Sequence, residues 1–560
     1  MEQVVADLMV EAQQYLIQSK FDLAEAKYRE IIAQFPDCYE AYNDLGSVYF
    51  TRNQVIESIE YFKKAIEINR DYSSSYYNLG YAYYTLDKKY EAEKIFKFAI
   101  KINPQDYNSL LYLGIINYGK DTPESFREAK MYLCQSLKTN SNFEGAYQAF
   151  LILEVILQIE QNYTEAEALS RYLIQLNPNF PGAYNNLGNA LQAQLKFDEA
   201  FEAFDKAIAL NPNFGNAYHN MAVNMTWKRN YPMAYGFHKK SIQLEPDNFE
   251  LRRNFGYFLL LMGDYENGWH ESEARLKPRL DMDNKYEFPP LWKGEPLGDK
   301  RIFIRCEQGL GDVLQFIRYI DLLREREKEC QIYIEIPRAL KELLCNYPGI
   351  DGYTVLGEYL PEFDYYAYLL SLPYLFKTNA ENIPNKVPYI ALPKDINFHL
   401  PCPVEHRNKK KIGLVWAGNP RHLRGLYRSC SIHDVMSFFD VPNTLFYSLQ
   451  IAPQAADIKH VTTDNVVDLS KHLKDFACTA AAIKQMDLII TVDTSVAHLA
   501  GALGANTWAM LCYNADWRWG INGSDCSWYP TMKLFRQNAI NKWDNVIEEI
   551  KKELIEFCSE

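Results

Sequence analysis

The chain has 560 residues, well beyond the roughly 250–300 at which one hydrophobic core stops growing, so several domains are expected. Hydrophobic residues make up 48% and charged residues 23%, as in ordinary globular proteins, and a net charge of −13 argues against general nucleic-acid binding, which leans on Lys and Arg at phosphates. No signal peptide, no apolar run of transmembrane length and no metal-type cluster among the 11 cysteines stand out, so the expectation is a cytoplasmic protein without a transmembrane segment or metal cofactor.

The first half repeats every 34 residues. Gly46, Gly80 and Gly114 are 34 apart, as are Gly188, Ala222 and Gly256, and Pro178, Pro212 and Pro246 step by the same interval. Ala41-Tyr42-Asn43-Asp44-Leu45-Gly46 returns as Ala183-Tyr184-Asn185-Asn186-Leu187-Gly188. A small residue precedes an aromatic by four in Ala92/Phe96 and Ala200/Phe204. Small residues let one helix approach the next, aromatics fill the gap, and proline cannot continue the second helix. This is the tetratricopeptide (TPR) pattern, and it predicts an α-helical solenoid over residues 1–276, about seven repeats plus a closing pair. Gly114 and Gly188 are 74 apart, two repeats plus six residues, and the surplus is expected in the turn at Lys120-Asp121-Thr122-Pro123.

Two residues before the repeat glycine stand Asn78, Asn186, Asn220 and Asn254, with Asp44 in the same place and Tyr112 and Ala149 interrupting. This register lies on the helix that lines the concave face of such solenoids, where an amide can pair with an extended peptide. The row resembles the asparagine ladder of O-GlcNAc transferases, which join such repeats to a glycosyltransferase. The alternative is that asparagine is merely inherited with the repeat.

Lys277-Pro278 and Phe288-Pro289-Pro290 punctuate an expected linker over 277–299. From Arg301 the pattern changes to strands alternating with helices. Arg301 to Cys306, Gln331 to Ile336, Lys411 to Trp416, Leu445 to Leu449, Leu488 to Val492 and Thr507 to Cys512 read as strands. The first runs into a tight loop, Glu307-Gln308-Gly309-Leu310-Gly311, and Asp312 in capping position opens a helix to Arg326. Asp493-Thr494-Ser495 likewise lead from a strand into a Gly/Ala-rich helix. Two doubly wound, Rossmann-like sheets are expected, over 300–400 and 401–560, with ligands at the carboxyl ends of their strands.

Six words in order make a more specific resemblance over residues 291–543. They are Cys306-Glu307-Gln308-Gly309-Leu310-Gly311-Asp312, Gly413-Leu414-Val415-Trp416-Ala417-Gly418-Asn419-Pro420, Tyr447-Ser448-Leu449-Gln450, Val492-Asp493-Thr494-Ser495-Val496-Ala497-His498, Asp516-Trp517-Arg518-Trp519 and Trp528-Tyr529-Pro530. This half resembles the family-9, heptosyltransferase-like glycosyltransferases, in the variety fused to TPR repeats. The resemblance implies the GT-B architecture and inverting transfer of a sugar from a nucleoside diphosphate to an acceptor, with the solenoid offering its concave face to a protein or peptide.

Sugar transfer needs a base for the acceptor and charge to hold the leaving diphosphate. The Gly-x-Gly-Asp loop sets Asp312 at the cleft mouth, and the resemblance implies it as the base; Glu307 is the second candidate. Gly309, Gly311 and Gln308 then lie against the donor. The helix start at Thr494 and Ser495 attracts the diphosphate, and Asp493 accepts from donor-sugar hydroxyls. Arg428, in the family's Arg-Ser pair with Ser429, is the cation expected at the diphosphate. Asn419 and His422 flank it, and Gln450 touches ribose or base. His498 reads equally as a phosphate donor or as a core histidine. These groups require no metal. The D-x-D at Asp281-Met282-Asp283 does not follow a buried strand and reads as solvated.

The chain departs from the family pattern at Gly425-Leu426, Cys478, Ala515 and Gly523. The departures keep open a TPR scaffold with a non-catalytic second half. A glycolipid acceptor of the heptosyltransferase kind is the third alternative, although it needs no extended peptide groove.

Overall fold

The computed structural model of the chain describes residues 2–140, 145–285, 288–307, 309–420, 425–451 and 453–559. It divides into two compact units, Met1–Asn224 and Met225–Glu560.

The first unit is a run of helical hairpins, such as Tyr39–Thr51 with Val55–Ile68, Ser73–Thr85 with Lys89–Ile102, and Pro181–Ala193 with Phe197–Leu210. The repeat glycines allow the helices to meet. A Cβ on Gly46 would lie 2.6 Å from Phe62, and one on Gly80 2.7 Å from Phe96. Gly188 meets Phe204 in the same way, and Gly114 meets Leu133. Each hairpin turns through one residue of left-handed backbone, successively Ser19, Asn53, Asp87, Asp121, Gln161 and Leu195.

The six surplus residues do not swell the turn before Pro123. The glycine-to-partner spacing grows from 16 (Gly46 to Phe62) to 19 (Gly114 to Leu133) because the helix Pro123–Thr139 gains a turn at its start, capped by Thr122. The remainder falls between Leu133 and the next repeat. In the helix Ala146–Ile159 the glycine position is therefore taken by Glu154, and the facing aromatic position by Ser170, whose hydroxyl donates to Glu154 Oε1. The ladder register in this repeat belongs to Ile152, not Ala149.

In the second unit the hairpins continue through Tyr231–Leu244 and Phe249–Leu261 to Tyr265–Ser272, turning at Arg229 and Gly263. The last pair is built into the α/β core. The Trp269 ring meets Trp517 edge-on at 5.2 Å, and its indole N–H donates to the Thr378 carbonyl at 3.0 Å. The sequence suggests solenoid to residue 276, but the units part at Asn224/Met225 because these later helices share a core with the sheets.

The described residues of the stretch read as a linker are built into the fold. Lys277–Lys285 is helical, and Trp292 is buried beside Tyr366. Asp283 is not solvated: it takes Arg305 Nη1 at 2.7 Å and the Tyr368 hydroxyl at 2.9 Å, pinning this helix to the sheet.

Two all-parallel sheets follow. The first has β1 (Arg301–Arg305), β2 (Gln331–Ile336), β3 (Gly352–Val355) and β4 (Tyr365–Tyr368) in the order β3-β2-β1-β4. The second has β5 (Lys410–Val415), β6 (Thr444–Ser448), β7 (Val466–Asp468), β8 (Leu488–Val492), β9 (Thr507–Leu511) and β10 (Met532–Arg536), ordered β10-β9-β8-β5-β6-β7. Strands buried on both faces read as continuous apolar runs, as in Leu488-Ile489-Ile490-Thr491-Val492. Strand order reverses between β1 and β4 and between β5 and β8. A parallel sheet opens a crevice at the carboxyl ends of such strands.

Candidate functional site

At the first crevice, β1 is followed by Cys306 and Glu307 and then by the helix Leu310–Phe316. Gly309 holds φ +112°, and a Cβ there would overlap Asp312 Oδ2. The glycine thus makes room for the carboxylate. The helix begins at Leu310, so Asp312 sits inside its first turn rather than at the expected cap. Its Oδ1 accepts from Arg518 Nη2. Each Arg518 nitrogen is engaged: besides Nη2 on Asp312, Nη1 donates to Asp516 at 2.7 Å and Nε to Gln315 at 2.6 Å. Burial raises the Asp312 pKa above the usual carboxylate range; Arg518 pulls it back down, while Asp516, Glu307 and Asp493 push it up. A carboxylate held by one arginine, its pKa raised by burial, is a group that can take up a proton.

At the second crevice, Thr494 caps the helix Ser495–Ala502 by accepting from the Val496 N–H at 3.3 Å. Asp493 is buried at the end of β8, 3.8 Å from Arg428 Nη1. Burial and Asp516 raise its pKa, against Arg428. Arg428 Nε is buried, has no hydrogen-bond partner among the described residues, and lies over Gly418, 3.6 Å from where a Cβ would stand. Ser429 Oγ accepts from the Gly418 N–H at 3.0 Å and donates to the Gly425 carbonyl at 2.7 Å, shaping this loop. Asn419 is exposed on it, and Ser495 opens the helix half-buried. Gly311 joins the crevices: a Cβ there would lie 2.8 Å from the His498 ring, so the two loop-following helices meet only because this residue has no side chain.

Three candidates are tied into the framework. Glu307 is buried with both oxygens on Arg275, at 3.0 Å from Nε and 3.2 Å from Nη2, so it is a structural partner and not a second base. Gln450 accepts from the Ala417 N–H and donates to the Ala417 carbonyl, each at 3.0 Å; its amide clamps backbone instead of reaching a nucleoside. His498 is 5% exposed, hydrogen-bonded through Nδ1 to the Tyr529 hydroxyl at 2.9 Å and stacked on Trp519 at 5.2 Å. Burial, reinforced by Arg518, pushes its pKa down to about 3, so it is a neutral core ring and not a cationic phosphate donor. Gln308 and His422 lie outside the described residues.

The asparagine register also does structural work. Asn78 Nδ2 donates to Asn43 and Asn220 Nδ2 to Asn185, each at 2.9 Å, fastening one repeat to the previous one. Asn254 accepts from Arg253 at 3.3 Å, and Asn186 is half-buried in the same register.

Sequence reading missed Arg518 as the residue that holds Asp312, since the two are 206 positions apart. It also missed Tyr257, whose pKa burial raises and which feels the charges of Arg275, Arg518 and Asp312. The one signal for Arg518 was its place in a matching word.

Residues 181–214 and 73–106 each match a family described as tetratricopeptide repeat, and residues 46–87 match one described as TPR repeat. The N-terminal region therefore carries TPR repeats. Protein FlbA of Caulobacter vibrioides (strain ATCC 19089 / CIP 103742 / CB 15) is 22% identical over 327 residues, 54% of each chain. The chain thus spans about half the length of the curated relative it matches. Similar solved structures include a tetratricopeptide repeat protein from Parabacteroides merdae ATCC 43184 (15% identity, 46% of this chain and 99% of that one, TM-score 0.31). Another is the C-terminal part of a TPR repeat-containing protein from Cytophaga hutchinsonii (16% identity, 44% and 98%, TM-score 0.36). Among the described residues, no helix is long and apolar enough to cross a membrane.

Proposed function

We propose that the second unit is a GT-B glycosyltransferase that moves a sugar, with inversion, from a nucleoside-diphosphate sugar to an acceptor brought by the TPR repeats. The observation that carries this reading is Asp312: a carboxylate with raised pKa, positioned by Arg518 at the carboxyl edge of one sheet. Across from it, Arg428 Nε and the Thr494 helix start lie at the edge of the other. Oδ2, over Gly309, would take the acceptor proton. Arg428 and the N–H groups of the helix Ser495–Ala502 would hold the growing charge on the leaving diphosphate, a role that needs no metal. Asp493 would accept from donor hydroxyls. TPR repeats commonly serve protein contacts, so the acceptor fitting this layout is a protein or peptide in the cytoplasm.

The test is paired. Full-length chain is screened by thermal shift against nucleoside diphosphates and their sugars, where ligand at 100 times its Kd adds about 2.7 kcal/mol. Asp312→Asn is then assayed with the nucleotide found. The expected result is retained nucleotide binding and transfer reduced by about 10²–10⁴-fold. Undiminished transfer removes Asp312 from the reaction.

A second reading is a TPR scaffold whose α/β half no longer transfers sugar. The engagement of Glu307, Gln450 and His498 in structural contacts favours it. Under it, no nucleotide shifts the melting temperature, while a partner binds the repeats.

A further inference from the structure

Beside the hairpin of Ser73–Thr85 and Lys89–Ile102, a cavity of about 610 Å³ opens on the first unit. Arg70 and Asp71, from the turn before the hairpin, line it with Tyr76 of the first helix and Phe98, Lys101 and Ile102 of the second. The Tyr76 and Phe98 rings stack, with centroids 6.3 Å apart. Phe98 is 43% exposed, so the ring pair keeps an open side at the cavity. Tyr76 stands two residues before Asn78, about 200° around an α-helix, so the cavity lies on a different side of the helix from the asparagine register.

The repeat itself does not call for these residues. Arg70 stands where Pro36, Pro104, Pro178, Pro212 and Pro246 mark the other repeats. Two residues after the inner rings Phe62, Phe96 and Phe204 come Lys64, Phe98 and Lys206. Lysine suits an exposed helix position, whereas phenylalanine there leaves apolar surface in water. Lys101 lies 34 residues after Glu67, so a cation replaces an acid. Three departures from the repeat, one aromatic and two cationic, thus meet at one cavity. Arg70 and Lys101 are exposed, and neither has an ion-pair partner among the described residues.

We propose that this cavity binds a short acidic peptide segment of a partner protein that carries an aromatic side chain. The aromatic ring would pack on Phe98 and Ile102, and the flanking carboxylates would meet Arg70 and Lys101. Asp71 on the rim repels a dense polyanion such as a phosphate chain, but it can accept from a peptide N–H. A volume of about 610 Å³ lies within the usual range of about 300–1,000 Å³ for a ligand site.

The test is fluorescence anisotropy of full-length chain with the labelled pentapeptide Glu-Asp-Phe-Asp-Glu, beside the same peptide with alanine at its centre. Each site variant installs what another repeat carries at that place, so the helices are kept. Wild type is expected to bind the phenylalanine peptide saturably, with Kd below about 1 mM, and the alanine peptide about tenfold more weakly. Lys101→Glu and Arg70→Pro should each weaken binding about tenfold or more, the effect of losing one charge-assisted contact. Phe98→Lys is the deciding variant. It adds a positive charge, so charge attraction alone predicts tighter binding, whereas loss of the aromatic anchor predicts binding about tenfold weaker. Lys206→Glu, in the same register of another repeat, should leave binding unchanged. Absence of saturable binding by wild type overturns the site. So does binding by Phe98→Lys as tight as wild type, equal affinity for the alanine peptide, or a loss in Lys206→Glu as large as in Lys101→Glu.

Discussion

Glu154 offers a quantitative test of the irregular repeat. It is 2% exposed, takes the position of the repeat glycine and meets Ser170 where other repeats carry phenylalanine. Burial raises its pKa from the ordinary 4.5 to about 7, offset only in part by the Ser170 hydroxyl; no cation opposes the shift. A group with a raised folded pKa leaves stability intact below its unfolded value. Stability is then lost as pH rises, because the unfolded chain ionises first. The loss begins near pH 4.5, continues to about 7 and then levels off. The shift of about 2.5 units at 1.36 kcal/mol each amounts to about 3 kcal/mol. Amide hydrogen exchange in the helices Ala146–Ile159 and Tyr163–Leu176 reads this directly. Between pH 5 and 8, after correction for intrinsic exchange, wild-type protection should fall about a hundredfold. Glu154→Gln, which keeps the shape and a partner for Ser170, should show no such fall. Parallel pH dependence in the two proteins would refute the assignment of a neutral buried carboxyl.

Other outcomes follow from single contacts. Arg275→Ala strands Glu307 without its counter-charge and should cost roughly 3–5 kcal/mol in urea unfolding, whereas a cost under about 1 kcal/mol would mean the pair is dispensable. Gly46→Ala drives a methyl into Phe62 and should destabilise by about 1–3 kcal/mol, read as a lowered melting temperature. Arg518→Lys loosens the hold on Asp312 and weakens the charge that lowers its pKa. The acid limb of a transfer–pH profile should therefore move to higher pH, and an unmoved limb would separate Arg518 from the base.

Much of the fold is legible in the sequence because its rules are local. A glycine 16 residues before a phenylalanine announces a helix crossing, and an apolar run ending in Gly or Asp announces a parallel strand and its loop. The position of Asp312 follows from such a word; its partner does not, because Arg518 arrives from beyond β9. Glu307 looks like a spare base in one dimension, since Arg275, 32 positions earlier, meets it only through the fold. Gln450 stands at a strand end, where a ligand contact is a fair expectation. Only the structure shows its amide already spent on Ala417. Glu154 was hidden by the six extra residues, which throw the repeat count out of step.

The left-handed turns recur at Ser19, Asn53, Asp87, Asp121, Gln161 and Leu195 of the first unit, and none of these six is glycine. An ordinary L-residue in that conformation is disfavoured by roughly 1–2 kcal/mol, whereas Gly is not and Asn or Asp is less so. Leu195, at φ +65°, is the least suited of the series. The array thus carries untapped hardness at its corners: Leu195→Gly or Leu195→Asn should toughen the solenoid against heat while leaving every helix face as it is. That separates durability from recognition, and makes the turns the places to engineer this chain without disturbing what it binds.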